Sequence, residues 1–582
     1  MHEARLLKPT EPIKSLDLIP KHPIAKQTPL SYWCAYQGVK ALKGGQVMRQ
    51  TGEQATPQTP ASLPSINPDA FLPLAGQGLL FSCWAHRQPE LTAIHSPRGN
   101  RTFGELNANA NRLLGVFRQS GLCVGDSVAA LCGNIPQFIE AMLACQRGGL
   151  RFVPINWHLA SEEIAYIVAD CEAEAIVADA AFAKSLASID LSAVRCRLAI
   201  DGLIPGFLPY GPALCDHSAD DPADATPGRT MLYTSGTTGR PKGVTKPAGP
   251  PMMPLREGST FDYRDGDVNL LCGPAYHGGP MAFDLLFPLS SGAAIVMMER
   301  FDPEQALQLI ERHRVTHTHM VATMFQRLLA LPDEIRRRYD LSSLRMVIHG
   351  AAPTPPAVKR AMIDWLGPIL WEYYAATEIA TRINITSAEW LRKPGSVGKL
   401  PETSGVAILD DDGVPCPTGT PGRVCFPNTA QTARYHNAPD KNGEVFSGAY
   451  FSIGDIGYVD DEGYLFLTGR SAETIISGGV NIYPQEVDNV LMLHPAVAQS
   501  CTVGVLDVEW GEAVRGVVSL APGYQRSAEL ERELIDFARA RIAHYKAPRR
   551  IDFVATIPES VAGKVLRAQV RQRYWQDHDR AI

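Results

Sequence analysis

Tyr233-Thr-Ser-Gly-Thr-Thr-Gly-Arg-Pro-Lys-Gly-Val244 decides how this chain is read. It gathers the hydroxyls of Thr234, Ser235, Thr237 and Thr238, the glycines Gly236 and Gly239, and the ammonium of Lys242 into one short turn. A strand-like lead-in, residues 230–233, precedes it. Hydroxyls and free backbone N–H groups are what a phosphate chain needs, and glycine lets the backbone come close to it. Lys242 adds a point charge. A Gly/Thr-rich surface turn is the plain alternative, and the density of hydroxyls argues against it. The run is not the P-loop of Gly, four residues and Gly-Lys-Ser/Thr opening a helix. Pro241 disfavours a helical Arg240, so the loop is expected to end in a strand.

Outward from this run, helix and strand alternate. Thr102 to Glu105 forms a capping box ahead of a helix over 106–117, which Gly121 ends. Strands are expected over 128–132, 152–155, 175–177 and 345–349, with helices over 136–145 and 164–169. Asp302-Pro303-Glu304-Gln305 starts another helix, with Asp at the cap and Pro in the first turn. Such alternation implies parallel sheets covered by helices. Past Gly469 the order becomes helix 480–493, strand 499–505, strand 513–520, helix 528–542 and strand 550–554, a small α/β unit.

The opening run resembles the phosphate-binding signature of the adenylate-forming (AMP-binding) superfamily, which holds acyl-CoA synthetases, peptide-synthetase adenylation domains and luciferases. Further motifs follow in family order. Tyr374-Ala-Ala-Thr-Glu378 is similar to the second signature, and Gly454-Asp455 and Gly469-Arg470 to the ribose anchors. Gly478-Gly-Val-Asn-Ile-Tyr-Pro-Gln-Glu486 is similar to the loop after the hinge, and Gly563-Lys-Val-Leu-Arg567 to the C-terminal lysine motif. The resemblance implies an α/β fold in which a large N-terminal domain of parallel-rich sheets, 73–470, precedes a small mobile C-terminal α+β lid, 471–582. Residues 1–72, rich in Pro, Gln, Thr and Lys, are expected to be a flexible extension.

A thiol cannot displace oxide from a carboxylate, and an acyl-adenylate gives it AMP as a leaving group. The resemblance assigns residues to that chemistry, with ATP and CoA as co-substrates and Mg²⁺ as the metal. Thr234, Ser235, Gly236, Thr237, Thr238, Gly239 and Lys242 would hold the β- and γ-phosphates. Glu378 would bind Mg²⁺ and Thr377 the α-phosphate. Asp455 would accept the ribose hydroxyls with Arg470 beside it. Tyr374 would stack on adenine, and Gly350, Ala351 and Ala352 would wall its other side. Lys564 would bridge the substrate carboxylate and the α-phosphate. His277 would guard the acid pocket. Gly478 and Gly479 would line the CoA tunnel, with Trp510, Lys546 and Arg549 for the CoA nucleotide.

The implied pocket wall runs through His277, Met281, His349, Trp371, Tyr373 and Ile379, with no arginine or lysine to select a second carboxylate. That favours a hydrophobic monocarboxylic acid: medium- or long-chain fatty, aryl or steroid-like. Ile379 and Ala380 are larger than the glycines common there, so the pocket is expected to be short and an Ile379→Gly variant to admit longer acids. Ala472 stands where the hinge usually has Asp or Lys, Ala375 where the signature has Gly, and Ile453 where Thr is common. None removes a charged catalytic group. An acyl-adenylase loading a separate carrier protein, and a catalytically silent acyl- or nucleotide-binding member of the fold, are the competing readings.

Composition agrees. The 582 residues carry a net charge of −6 without a basic block, which argues against nucleic acid as a partner. Twelve cysteines without a C-x-x-C pair read as reduced thiols of a cytoplasmic enzyme. No apolar stretch reaches membrane-spanning length. A homodimer is compatible with all of this.

Overall fold

Two parallel-rich sheets carry the large N-terminal domain. The computed structural model describes residues 71–234, 241–247, 251–379, 382–446, 448–478, 480–508, 510–560 and 563–575. The expected extension lies outside these residues except for Phe71 and Leu72, which already belong to the helix Phe71–Gly76. Phe71 is buried there, its ring stacked on Trp84 at 5.6 Å.

The first sheet runs Leu208–Pro209, Cys196–Ile200, Ala173–Asp179, Ser127–Leu131, Arg151–Pro154, Arg229–Thr230, with every neighbour parallel. Ser127–Leu131 is buried along its whole length, as a strand covered on both faces is. The second sheet runs Ile383–Thr386, Leu370–Tyr374, Met346–His349, His317–Met320, Val268–Leu271, Ala294–Met297, Thr92–His95, Arg101–Thr102. Its centre is parallel and its two edge strands antiparallel. The helix Phe103–Gln119 starts on the expected capping box, Thr102 accepting from the Glu105 backbone and Glu105 from that of Thr102. Pro136–Gly148 is buried on nearly every side and stops at Gly149 in the left-handed conformation, φ 69°.

An antiparallel sheet follows, ordered Ser396–Lys399, Tyr464–Arg470, Asp455–Val459, Gly422–Pro427, Ala407–Leu409. After Arg470 a 3-10 turn, Ser471–Glu473, leads into a smaller α+β unit. Its long strand Gly511–Leu520 pairs with four others, and the helices Pro484–Leu491 and Ala528–Arg539 pack with it in one core. Two expectations are corrected here. The helix expected over 480–493 is a strand, Val480–Ile482, followed by a helix that begins only at Pro484. The strand closes a hairpin with Ile475–Ser477, and proline at the first helical position fixes where the helix can start. The single strand expected over 499–505 is two, Val497–Ser500 and Val503–Asp507, interrupted where the Thr502 N–H and hydroxyl both donate to the buried Asp488 at 2.7 Å.

No helix among the described residues is long and apolar enough to cross a membrane. The described cysteines are all free thiols, and most are buried.

Candidate active site

The phosphate-type run is a hairpin. Leu232–Thr234 pairs antiparallel with Lys242–Thr245, Thr234 opposite Lys242, so the run does end in a strand. Ser235, Gly236, Thr237, Thr238 and Gly239 lie outside the described residues. Lys242 Nζ stands 5.2 Å from the centre of the Tyr435 ring, and the Tyr435 hydroxyl donates to Glu378 Oε1 at 3.2 Å. Burial, then the charge of Lys441, lowers the Lys242 pKa. Tyr435 went unnoticed in the sequence because nothing local marks it; only its pairing with Val244 brings it here.

Thr377 and Glu378 ride on the connection between Leu370–Tyr374 and Ile383–Thr386, in which Tyr374 faces Ile383. The Tyr374 hydroxyl donates to Asp455 Oδ2 at 2.6 Å, and Arg470 Nε lies 3.1 Å from Asp455 Oδ1. Asp455 and Arg470 are directly opposed across an antiparallel pair, which is why residues distant in sequence share one carboxylate. Gly350 is required by space: a Cβ there would lie 2.5 Å from the Tyr373 carbonyl oxygen. Ala351 next to it adopts φ 64°, a conformation that costs a non-glycine residue energy. Ala352 completes that turn beside Tyr374's strand.

Magnesium needs hard oxygens and commonly takes one or two carboxylates plus substrate phosphates. Glu378 fits, since its carboxylate makes no ion pair among the described residues and meets a phenol.

Lys564 comes from the smaller unit. Its loop turns on Gly563, φ 72°, which docks on the large domain so tightly that a Cβ would lie 2.0 Å from Thr323 Oγ1. Lys564 forms no ion pair among the described residues and lies within electrostatic reach of Arg470, Glu473 and Asp455. Burial, then Arg470, pulls its pKa below the usual lysine range. Three residues on, the buried Arg567 binds Glu473 at 3.0 Å and Asp488 at 2.8 Å, tying the lysine loop to the turn after Arg470.

The residues expected to wall the pocket do not all share one face. Trp371 and Tyr373 point to one face of their strand, into an aromatic cluster with Phe261, Tyr263 and Phe283. His349 faces the other way, opposite Glu372 and beside Lys359. Ile379 packs with Ile383, Val397 and Phe446 in the core of the third sheet, so Ile379→Gly would open that core. Met281 belongs to the core that the first and second sheets share. The wall is also not free of cations: Arg382 lies 5.0 Å from the Trp371 ring.

His277 precedes a short helix whose start presses on this cluster; a Cβ on Gly279 would come within 2.7 Å of the Tyr373 hydroxyl. Asn134 holds the segment in place, accepting from Ala275 N at 2.9 Å and donating to the Gly273 and Met298 carbonyls. Burial pushes the His277 pKa down to about 4, with His158 adding to the shift. The imidazole is therefore neutral through the physiological range. His277→Phe is expected to leave the pH profile of kcat/KM between pH 5 and 8 unaltered and to change its height by no more than about tenfold, the low end of what one small change of pocket contact is worth. Loss of a limb in that range would show that the imidazole titrates in the reaction.

On the smaller unit, Gly478 N–H donates to the Trp510 carbonyl at 2.8 Å, and a Cβ on Gly478 would strike the indole at 2.4 Å. Arg549 stacks over the same indole at 5.4 Å and binds Asp507 at 2.9 Å. Gly479 lies outside the described residues. Lys546 stands apart from this group, its ammonium donating to both Glu486 oxygens at 2.8 and 2.9 Å.

Residues 81–436 match the AMP-binding enzyme family and residues 486–564 the AMP-binding enzyme C-terminal domain. The chain is 33% identical to an indoleacetate–CoA ligase of Aromatoleum aromaticum, across 83% of this chain and 95% of that one. It is 30% identical to the fatty acid–[acyl-carrier-protein] ligase ScoC of Streptomyces coeruleorubidus, across 86% and 96%. The fold superposes on the crystal structure of the anthranilate CoA ligase AuaEII with a TM-score of 0.75 at 24% identity, covering 86% of this chain and 97% of that one. The chain belongs to the AMP-binding enzyme family, where it sits with the acyl-CoA and carboxylate–CoA ligases.

Proposed function

We propose that the protein is an ATP-dependent carboxylate–CoA ligase that works through an acyl-adenylate on a hydrophobic, ring-bearing acid. The observation that carries this is the convergence of Tyr374, Asp455 and Arg470 with Lys564 beside the connection bearing Thr377 and Glu378. A carboxylate oxygen attacks the α-phosphorus and pyrophosphate leaves. A thiol sulfur then attacks the acyl carbon and AMP leaves. Charge gathers on the phosphoryl oxygens in the first step, so cations placed in advance lower its barrier. Lys564 and Lys242 are such cations, Thr377 a donor, and Asp455 with Tyr374 the seat of the nucleoside. Glu378 would hold Mg²⁺, which supplies positive charge to the phosphates.

The hinge would lie at Arg470–Ser471, between a large domain 73–470 and a lid 471–582. Rotation there would withdraw Lys564 and bring the Gly478–Trp510–Arg549 face to the site for CoA. Lys546 would join only by giving up Glu486. The aromatic cluster and the indoleacetate–CoA ligase among the relatives support a ring-bearing acid. The acyl-carrier-protein ligase among them makes a carrier protein the competing acceptor.

Pyrophosphate release with Mg-ATP, measured over aliphatic, aryl and steroid-like acids with and without CoA, tests the reading. Sustained CoA-dependent release with aryl acids is expected. A single slow turnover that CoA does not accelerate would point to the carrier protein, and silence with every acid would leave a binding protein of this fold.

A further inference from the structure

Tyr435 touches both charged groups at the phosphate end of the site and has no part in the chemistry above. The Lys242 ammonium lies over its ring, 5.2 Å from the ring centre, and its hydroxyl donates to Glu378 Oε1 at 3.2 Å. Lys242 and Glu378 are opposite charges within electrostatic reach of one another, yet they form no ion pair among the described residues. The other acid in reach of Lys242 is Glu444, which Lys441 already holds at 2.6 Å. Lys242, Glu378 and Tyr435 are all part-exposed, so the group borders solvent.

The ring is anchored from behind, by groups other than the two charges. Tyr435 N donates to Asn442 Oδ1 at 2.8 Å, and Asn442 Nδ2 donates to the Tyr435 carbonyl at 2.8 Å. Tyr435 faces the buried Val244 across the antiparallel pair, and its ring meets Phe446 at 5.6 Å. Lysine carries its charge on a flexible four-carbon stem. An ammonium over an aromatic face keeps its donors free for a phosphate. With no ring in the way, the ammonium and the carboxylate would neutralise each other. Both the phosphates and Mg²⁺ would then have to break that pair.

We propose that Tyr435 is a positioning residue that keeps the phosphate lysine and the metal carboxylate apart, its ring holding the Lys242 ammonium and its hydroxyl aiming Glu378. The site is thereby set for a magnesium–triphosphate before either part arrives. This rests on the ligase reading, in which Lys242 meets phosphate and Glu378 meets the metal.

The test is the calorimetric affinity of the full chain for ATP, in EDTA and then over a Mg²⁺ titration. In Tyr435→Leu the lysine is expected to fall onto Glu378 and weaken metal-free ATP binding about five- to tenfold, between the worth of an exposed ion pair and that of a hydrogen bond to a charged group. Adding Glu378→Gln to that variant is expected to return the loss, because the amide leaves the lysine free. In the otherwise wild-type chain, Glu378→Gln is expected to leave metal-free affinity nearly unchanged. Tyr435→Phe keeps the ring, so its metal-free affinity should stay near that of the wild type. The Mg²⁺ needed for half-saturation should rise about tenfold in Tyr435→Phe, the low end of losing a group behind a metal ligand. A packing defect alone would weaken ATP binding in Tyr435→Leu with no relief from Glu378→Gln, and that result would overturn the inference. A five- to tenfold gain from Glu378→Gln in the otherwise wild-type chain would also overturn it, since the pair would already be closed. That comparison decides the matter even where Tyr435→Leu folds poorly. Unaltered Mg²⁺ dependence in Tyr435→Phe would count against it in the same way. All three results leave the ligase standing, whereas no ATP binding by the wild type would remove the ligase reading and the inference with it.

Discussion

Lys564→Ala is expected to slow acyl-adenylate formation by about 10²–10³-fold, the cost of removing one pre-placed charge from a developing anion. The thioester step, started from synthetic acyl-adenylate and CoA, is expected to keep its rate. The split follows from position. Lys564 reaches the site only through the loop that Gly563 presses against Thr323, and Arg567 fastens that loop to Glu473 just past Arg470. A lid turned about that point carries the lysine away. The alkaline limb gives a second check. Burial and Arg470 lower the Lys564 pKa from 10.5, so its charge is lost earlier as pH rises. Because kcat/KM reports the free enzyme, adenylation should fail on the alkaline side below pH 10.5. Lys564→Arg, which keeps its charge there, should move that limb upward. Equal damage to both half-reactions in Lys564→Ala would refute the assignment.

Much of this site was legible because its chemistry is written in short local runs. The strand that ends the phosphate-type run follows from Pro241, and the helix Pro303–His313 from its cap and proline; Asp302 accepts from Gln305 N at 2.8 Å. What stayed hidden depends on facing. The strand 370–374 alternates, so Trp371 and Tyr373 enter the aromatic cluster while Glu372 and its neighbour His349 turn away. No run of letters shows which side meets the other rings. Arg382 was missed for the same reason: its place over Trp371 depends on the return of the chain into Ile383–Thr386. The strand Val480–Ile482 was misread as helix because Val480 and Ile482 lead directly into the true helix that begins at Pro484. Asn134, which holds the His277 segment, makes contacts more than a hundred residues away along the chain.

The face turned away from the aromatic cluster carries the largest expected stability effect. Lys359, on the helix Pro356–Leu366, is fully buried and donates to Glu372, with the Trp390 ring 4.9 Å from its ammonium. His349 Nε2 lies 3.9 Å from the same carboxylate, but burial, then Lys359, holds that imidazole neutral. Glu372 thus has one cation. Lys359→Met leaves the carboxylate buried without it and is expected to cost about 3–5 kcal/mol, the usual price of breaking a buried pair from one side. The sign of its pH dependence is set by burial, which raises the Glu372 pKa above 4.5 even against the pull of Lys359. Without the lysine the acid rises further, so the folded state holds a proton that the unfolded chain releases. The deficit should therefore grow from pH 5 to pH 8. Removing both charges, as Lys359→Met with Glu372→Leu, should recover most of the loss, since a buried pair replaced by apolar side chains is often neutral. Thermal unfolding of the two single variants and the double, at both pH values, gives the coupling. Losses that simply add would show that the pair does not hold this strand. Because Glu372 lies between Trp371 and Tyr373, the same variants should also loosen the aromatic wall, and the singles should lose acid selectivity before they lose ATP binding.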